Sequence, residues 1–273
     1  MSSVIYGGAD FAGGLASRRN DGVVVTVVSQ VFGALALTVA ILLWPEVTVT
    51  DRDLIWGALG GIGGGLGLMC FYPALGQGPM SVVAPTTALF SALSPLVFGL
   101  WSGERPGGLA VMGIAVALPA IVLVAREPSP DADITIRRAT LLLAMAAGVG
   151  FGLFFIAFAQ TSADAGLWPL AAARAGSISL VGLICLLGGR GFRITPGDRW
   201  LVALAGVADI TANAFYLMAA TRGLLSLVAV LGSLYPATTV LLAVIILGER
   251  LAPVRLVGLV LAGVAVVCIA AGS

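Results

Sequence analysis

The chain has 273 residues, 59% of them hydrophobic and only 10% charged, with a mean hydropathy of +1.09 and a formal net charge of +1. A soluble domain carries roughly 25% charged residues, so this chain lacks the polar surface that water requires and its solvent is lipid. The near-zero charge excludes a strongly basic or acidic field, and no basic patch offers itself to nucleic acid.

A helix that crosses about 30 Å of hydrocarbon needs about 20 mainly apolar residues. Ten segments meet that requirement or nearly so: 3–17, 23–44, 54–76, 81–102, 107–125, 138–161, 166–188, 200–221, 224–247 and 253–271. These runs are too long and continuous for the alternation of a barrel strand, which predicts an all-α polytopic membrane protein. The first segment is short and lacks the charged stretch and cleavage site of a signal peptide, which implies a late start that removes its outer turn.

The third segment carries Gly57, Gly60, Gly61, Gly63, Gly64, Gly65 and Gly67. Small residues at such spacing let backbones approach closely, and a glycine-wide face lining a cavity is the alternative. Prolines interrupt the spans at Pro73, Pro85, Pro95, Pro119, Pro169 and Pro236, where each removes a backbone donor and can kink its helix. Trp44 and Trp101 sit near span ends, where interfacial belts form. Cys70, Cys185 and Cys268 stand in separate apolar runs and read as small membrane hydrophobes.

Residues 74–125 and 219–270 repeat one text at a constant offset of 145. Gly78, Ser81, Val83 and Ala84 fall on Gly223, Ser226, Val228 and Ala229, and Gly103-Glu104-Arg105 falls on Gly248-Glu249-Arg250. Gly113 falls on Gly258, and the register extends backwards through Gly61 on Gly206 to Asp53 on Asp198. An offset of 140 aligns the first helices, placing Gly8 and Phe11 on Gly148 and Phe151. The repeats are 1–125 and 138–273, joined by a linker, 126–137, that contains Pro128, Pro130, Asp131 and Asp133. Five crossings per copy insert the second copy upside down, around a pseudo-two-fold axis in the membrane plane.

On these spans, and on the segments Ala219 to Ser226 (Ala-Ala-Thr-Arg-Gly-Leu-Leu-Ser) and Leu247 to Pro253 (Leu-Gly-Glu-Arg-Leu-Ala-Pro), the whole chain resembles the drug/metabolite transporter superfamily, specifically its EamA-type ten-helix members. The resemblance implies a central cavity lined mainly by helices 1, 3, 4 and 6, 8, 9, with helices 5 and 10 peripheral. Members carry amino acids, sugars, nucleotides, drugs and other metabolites, so the substrate stays open.

The Glu104-Arg105 and Glu249-Arg250 pairs fall at the corners between spans 4 and 5 and spans 9 and 10. A carboxylate there can accept from the first amides of the next helix, and the arginine can snorkel to headgroups; a gating ion pair is the alternative. Of 27 charged residues, three fall within spans: Asp10, Arg174 and Asp209. A mid-membrane charge costs about 2.5–3.5 kcal/mol on insertion scales, so it faces a partner or water. Asp10 is similar in placement to the essential carboxylate on the first helix of small multidrug transporters, although its local sequence differs. A carboxylate in a half-dry cavity can exchange protons near neutral pH, whereas pairing of Arg174 with Asp209 or Asp10 would only hold helices together. Tyr72, Asn213, Tyr216 and Tyr235 are further candidates for the lining, chosen from a polar set that includes Gln30, Ser91, Gln160 and Ser233.

No histidine, metal-spaced cysteine cluster, phosphate-binding loop or nucleophile elbow is present, which speaks against an enzyme, a cofactor or an ATP-driven pump. Ten arginines lie in the odd-numbered connectors and three in the even-numbered ones, which puts both termini outside; the family resemblance implies both inside, and we favour the latter. The expectation is a multi-pass protein of a cell membrane, bacterial inner membrane in the first instance. It carries a small organic solute by alternating access, by export that protons or the solute's own gradient would drive. Uptake of a sugar or neutral metabolite, and a scaffold or lipid-handling partner protein, are the alternatives, with monomer and homodimer both open.

Overall fold

Hydrocarbon offers the backbone no hydrogen-bond partner, so each spanning segment must close its own ladder. The computed structural model describes residues 1–43, 47–77, 80–124, 138–189, 191–247 and 252–272, side chains at 75–77, 80–82, 243 and 247 excepted. Its helices are α1 (Ser2–Ser17), α2 (Gly22–Leu42), α3 (Asp51–Gln77), α4 (Met80–Trp101), α5 (Gly108–Val124) and α6 (Arg138–Ala159). The second half continues with α7 (Trp168–Leu187), α8 (Arg199–Ala220), α9 (Leu225–Gly232), α10 (Tyr235–Leu247) and α11 (Pro253–Gly272). No strand occurs among the described residues. Among the described residues eight stretches are long and apolar enough to cross a membrane, and α5 is a shorter apolar helix. Leu35, Val39, Leu183, Leu186, Ile245 and Val267 are exposed on the outside of the bundle, as a lipid-facing surface requires.

The predicted ninth span is divided, with α9 ending at Gly232 and α10 beginning at Tyr235. Pro236 explains the position: its ring would clash with the carbonyl of Gly232, four residues back, and it offers no N–H. Pro73, Pro85, Pro95 and Pro119 sit inside continuous helices instead, and Pro169 lies in the first turn of α7, where the missing donor costs nothing. Interruption is therefore found at one of the six predicted positions.

The extensive packing runs between the halves rather than within them. Helix α1 packs on α8 and α10, as α6 packs on α3 and α4; α2 packs on α8 as α7 packs on α3. Helices α5 and α11 pack on each other. Exchanging the two halves maps the α5–α11 pair onto itself and each of the other pairs onto another, so the duplicated sequence folds as two interlocked, equivalent units.

Repeated glycines make these crossings possible. A Cβ on Gly61 would lie 2.0 Å from the Ala173 carbonyl oxygen, and one on Gly206 would lie 1.9 Å from that of Ser29. These are the same contact made twice, the third helix of one half crossing the second helix of the other. Gly113 and Gly258 repeat the pattern in the α5–α11 pair, against Ile269 and Val124. On α1, the glycine pressed into the partner half is Gly7, beside Tyr235 and Thr238, while Gly8 meets open space. Gly148 of α6 is likewise pressed against α4, beside Thr87 and Phe90.

Gly61→Ala and Gly206→Ala should each lower thermal stability by about 1–3 kcal/mol, the usual cost of overpacking, and by similar amounts. Gly182→Ala, where nothing lies within 4 Å, should be neutral or slightly stabilising. Thermal unfolding of the detergent-solubilised variants checks the comparison.

Candidate functional site

Where the interlocked halves meet they enclose a cavity of about 730 Å³, open mouth included. Its walls differ in chemistry although symmetry makes them equivalent in build. The α1/α8 wall presents Tyr6, Asp10, Asp209 and Asn213, whereas the α3/α6 wall presents Gly61, Gly64, Gly65, Leu68, Phe151, Phe154 and Phe155. Gln30, Arg174 and Ser177 enter from α2 and α7, and Ser91 and Tyr235 from α4 and α10.

The entry of α2 and α7 adds to the helix set that the family resemblance implies. The crossings explain it: Gly57, Gly61 and Gly65 draw α7 against α3, and Gly33 and Gly206 draw α2 against α8. At that separation a side chain on the second helix of either half reaches the interior. The same stripe also faces the cavity at Gly61, Gly64 and Gly65, so close packing and a wide lining are two uses of one surface.

A continuous polar network ties four helices together. Tyr6 donates to Asn213 Oδ1 at 2.6 Å, and Asn213 Nδ2 donates to Asp209 Oδ2 at 2.9 Å. The same Asp209 oxygen pairs with the Arg174 guanidinium, whose Nη1 lies 3.4 Å from Gln30 Oε1; Ser177 also donates to that Gln30 oxygen. Of the two partners that the sequence allowed Arg174, the structure selects Asp209. Gln30 is 3% exposed, yet its Nε2 has no partner among the described residues, and neither has the Tyr235 hydroxyl.

Asp10 lines the cavity one helical turn after Tyr6, and no hydrogen bond or ion pair to it is seen among the described residues. The cavity thus brings together five of the predicted residues: Asp10, Arg174, Asp209, Asn213 and Tyr235. Tyr72 and Tyr216 lie outside its lining. Tyr72 packs with Phe71 and Val83, and Tyr216 is fully buried behind the wall, stacked on Phe155 at 4.2 Å. Tyr6 and Ser177 were missed, and so were the three phenylalanines. The signal was helical spacing: Tyr6 stands four residues before Asp10, and Ser177 three after Arg174, each on the face of a charge already singled out.

The Glu104 corner has a different job from the one the repeat alone suggested. Gly103 adopts φ +95° and ends α4, turning the chain so that Glu104 points back. Glu104 accepts from the Leu225 amide at 2.6 Å and the Ser226 amide at 2.9 Å, and so caps α9 of the other half rather than α5 next to it. Arg105 is exposed, and Glu249 and Arg250 lie outside the described residues. With both carboxylate oxygens engaged by backbone, Glu104 is a helix cap and not half of an ion-pair gate with Arg105.

The repeated Asp53 and Asp198 form a second pair of clamps. Asp53 accepts from the Thr50 amide at 3.0 Å and from the Ser162 amide at 2.7 Å, gripping the connector between α6 and α7. Asp198 accepts from Asn20 at 2.9 Å and faces Arg19 at 3.6 Å, gripping the connector between α1 and α2.

The family model described as "EamA-like transporter family" matches residues 1–126 and 138–271, nearly the whole chain in two copies. The chain belongs to the EamA-like transporter family. No curated protein matches it. A crystal structure whose title names no function is similar in fold, with a TM-score of 0.77 at 20% identity, over 99% of this chain and 95% of the other. As an EamA-like protein it is a multi-pass membrane transporter rather than an enzyme.

Two stability experiments follow from this geometry. Glu104→Ala should cost about 1–2 kcal/mol through loss of the α9 cap, whereas Arg105→Ala should change the melting temperature little. Asp209→Leu strands a guanidinium that is 10% exposed and should cost about 3–5 kcal/mol, and Arg174→Met added to it should recover much of the loss. A four-way thermal-denaturation cycle measures that recovery; additive losses would show that the pair does not act as a unit.

Proposed function

We propose that the protein is a secondary transporter that exports a small organic solute by alternating access. In this reading ten spans form two inverted five-helix repeats, 1–125 and 138–273, with both termini in the cytoplasm and the linker 126–137 outside. The closed exchange of packing partners between the halves supports the inverted arrangement, since equivalent units can rock about a site at their junction. The observation that carries the reading is the cavity itself. It lies where the halves interlock, holds both carboxylates and the guanidinium, and is lined by residues from both copies. A scaffold would have no use for charges there, and their burial is costly.

Coupling follows from the inequality of the two carboxylates. Asp209 is held by Arg174 and Asn213, while Asp10 faces the cavity without a partner among the described residues. Asp10 is therefore the group for which a proton and the solute would compete, with Asp209 and Arg174 as its charged neighbours.

Solute counterflow in proteoliposomes should depend on pH in the native protein and lose most of that dependence in Asp10→Asn. Asp209→Asn should instead lower the rate at every pH, because it breaks the network that shapes the wall. A pH profile that both variants leave unchanged would remove proton coupling and leave a gradient-driven carrier.

A further inference from the structure

The transported solute is defined further by the charge and shape of the cavity, on the assumption that this cavity is the transport site. When both carboxylates are ionised the lining holds one negative charge in excess, because Arg174 offsets one of Asp10 and Asp209. Arg174 is engaged by Asp209 and directed towards Gln30, so the lining shows no free cation for a carboxylate or phosphate on the solute. Asp10, by contrast, can accept hydrogen bonds. The same lining carries Phe151, Phe154 and Phe155 on α6, which offer aromatic surface to an apolar body. Such a surface also attracts a nearby cation.

Gln30 supplies an independent sign that the cavity is built for an occupant. Its oxygen is taken by Ser177, its amide nitrogen is buried without a partner, and the side chain belongs to the lining. A buried donor left unpaired costs free energy until a ligand or water satisfies it.

We propose that the solute is an amphipathic organic monocation, an aromatic or bulky apolar amine without a carboxylate. Its ammonium sits on Asp10 at the α1/α8 wall, and its ring lies against the phenylalanines of the α3/α6 wall. A zwitterionic amino acid fits less well, since its carboxylate would meet Asp10 and Asp209 with no free positive partner.

The test holds the ring constant and changes the head group. Binding of phenethylammonium, phenylalanine, phenylpropionate and phenethyl alcohol to the detergent-purified full chain is measured by calorimetry, and the same four are offered to proteoliposomes. Phenethylammonium should bind at least about tenfold more tightly than any of the others, the discrimination expected for one charge-assisted hydrogen bond. Asp10→Asn should abolish that margin. Phe154→Leu should weaken phenethylammonium while leaving its lead over phenethyl alcohol intact, because it removes ring contact and not charge. The ranking in the native protein needs no variant to fold. Tighter binding of phenylalanine, phenylpropionate or the alcohol, or a margin that survives Asp10→Asn, overturns the cationic assignment. If one of those three is nevertheless carried saturably, the transporter reading stands; if no flux of these or of a broad metabolite panel occurs, that reading falls as well.

Discussion

Two backbone crossings, Gly61 on Ala173 and Gly206 on Ser29, set the geometry on which everything else in the bundle depends. Apolar side chains gain nothing by leaving lipid for one another, so membrane helices associate through close van der Waals contact and hydrogen bonds. A side chain at either glycine would collide with the carbonyl of the facing helix. Because the crossings join the third helix of one half to the second helix of the other, they interlock the copies rather than closing each upon itself. The cavity is what remains between the paired walls, and its polar groups arrive on helices that these contacts have drawn inward.

The same duplication that made the walls equivalent in build left them free to differ in chemistry. Helices α1 and α8 correspond to α6 and α3 under exchange of the halves, yet one pair carries carboxylates and an amide and the other glycines and phenylalanines. Residues that hold the copies together have stayed alike: Gly61 with Gly206, Gly113 with Gly258, Asp53 with Asp198. Apart from Gly61, residues that face the cavity have not. Asp10 has no acidic counterpart near Gly148 on α6, where phenylalanines stand instead. A site with two unlike walls suits an amphipathic occupant, which a strictly symmetric one would not.

The repeat made much of this legible from residues alone. It pointed to the glycines of the crossings, because packing constraints act on each copy equally and leave matching letters; the linker 126–137 lies outside the described residues. The buried charges were visible for a different reason: an ion inside an apolar run is conspicuous wherever it points. Partnership was harder to see. Whether Arg174 met Asp10 or Asp209 depends on the rotation of α7 against α8, which no spacing along one helix fixes. Glu104 is the clearest case, since its proximity in sequence to α5 suggested a cap there, and the amides it reaches belong to α9, 121 and 122 residues away. Tyr72 and Tyr216 stood out as the polar aromatics of inner helices, but their rings serve the core, and burial of a ring is as good a reason for tyrosine as recognition is.

The divided ninth span adds a last constraint on the charge of the site. A discontinuous helix brings unpaired carbonyls from one segment and unpaired amides from the next to the same place. Here the carboxyl end of α9 and the amino end of α10 meet beside Ser233, which contacts Ser91 of the lining at 3.1 Å, and Tyr235 enters the cavity directly. Ends with opposite partial charges, separated by only two residues, largely cancel. The break therefore supplies hydrogen-bonding capacity without favouring either sign of ligand. With Asp209 offset by Arg174, the sign of the site rests on Asp10 alone.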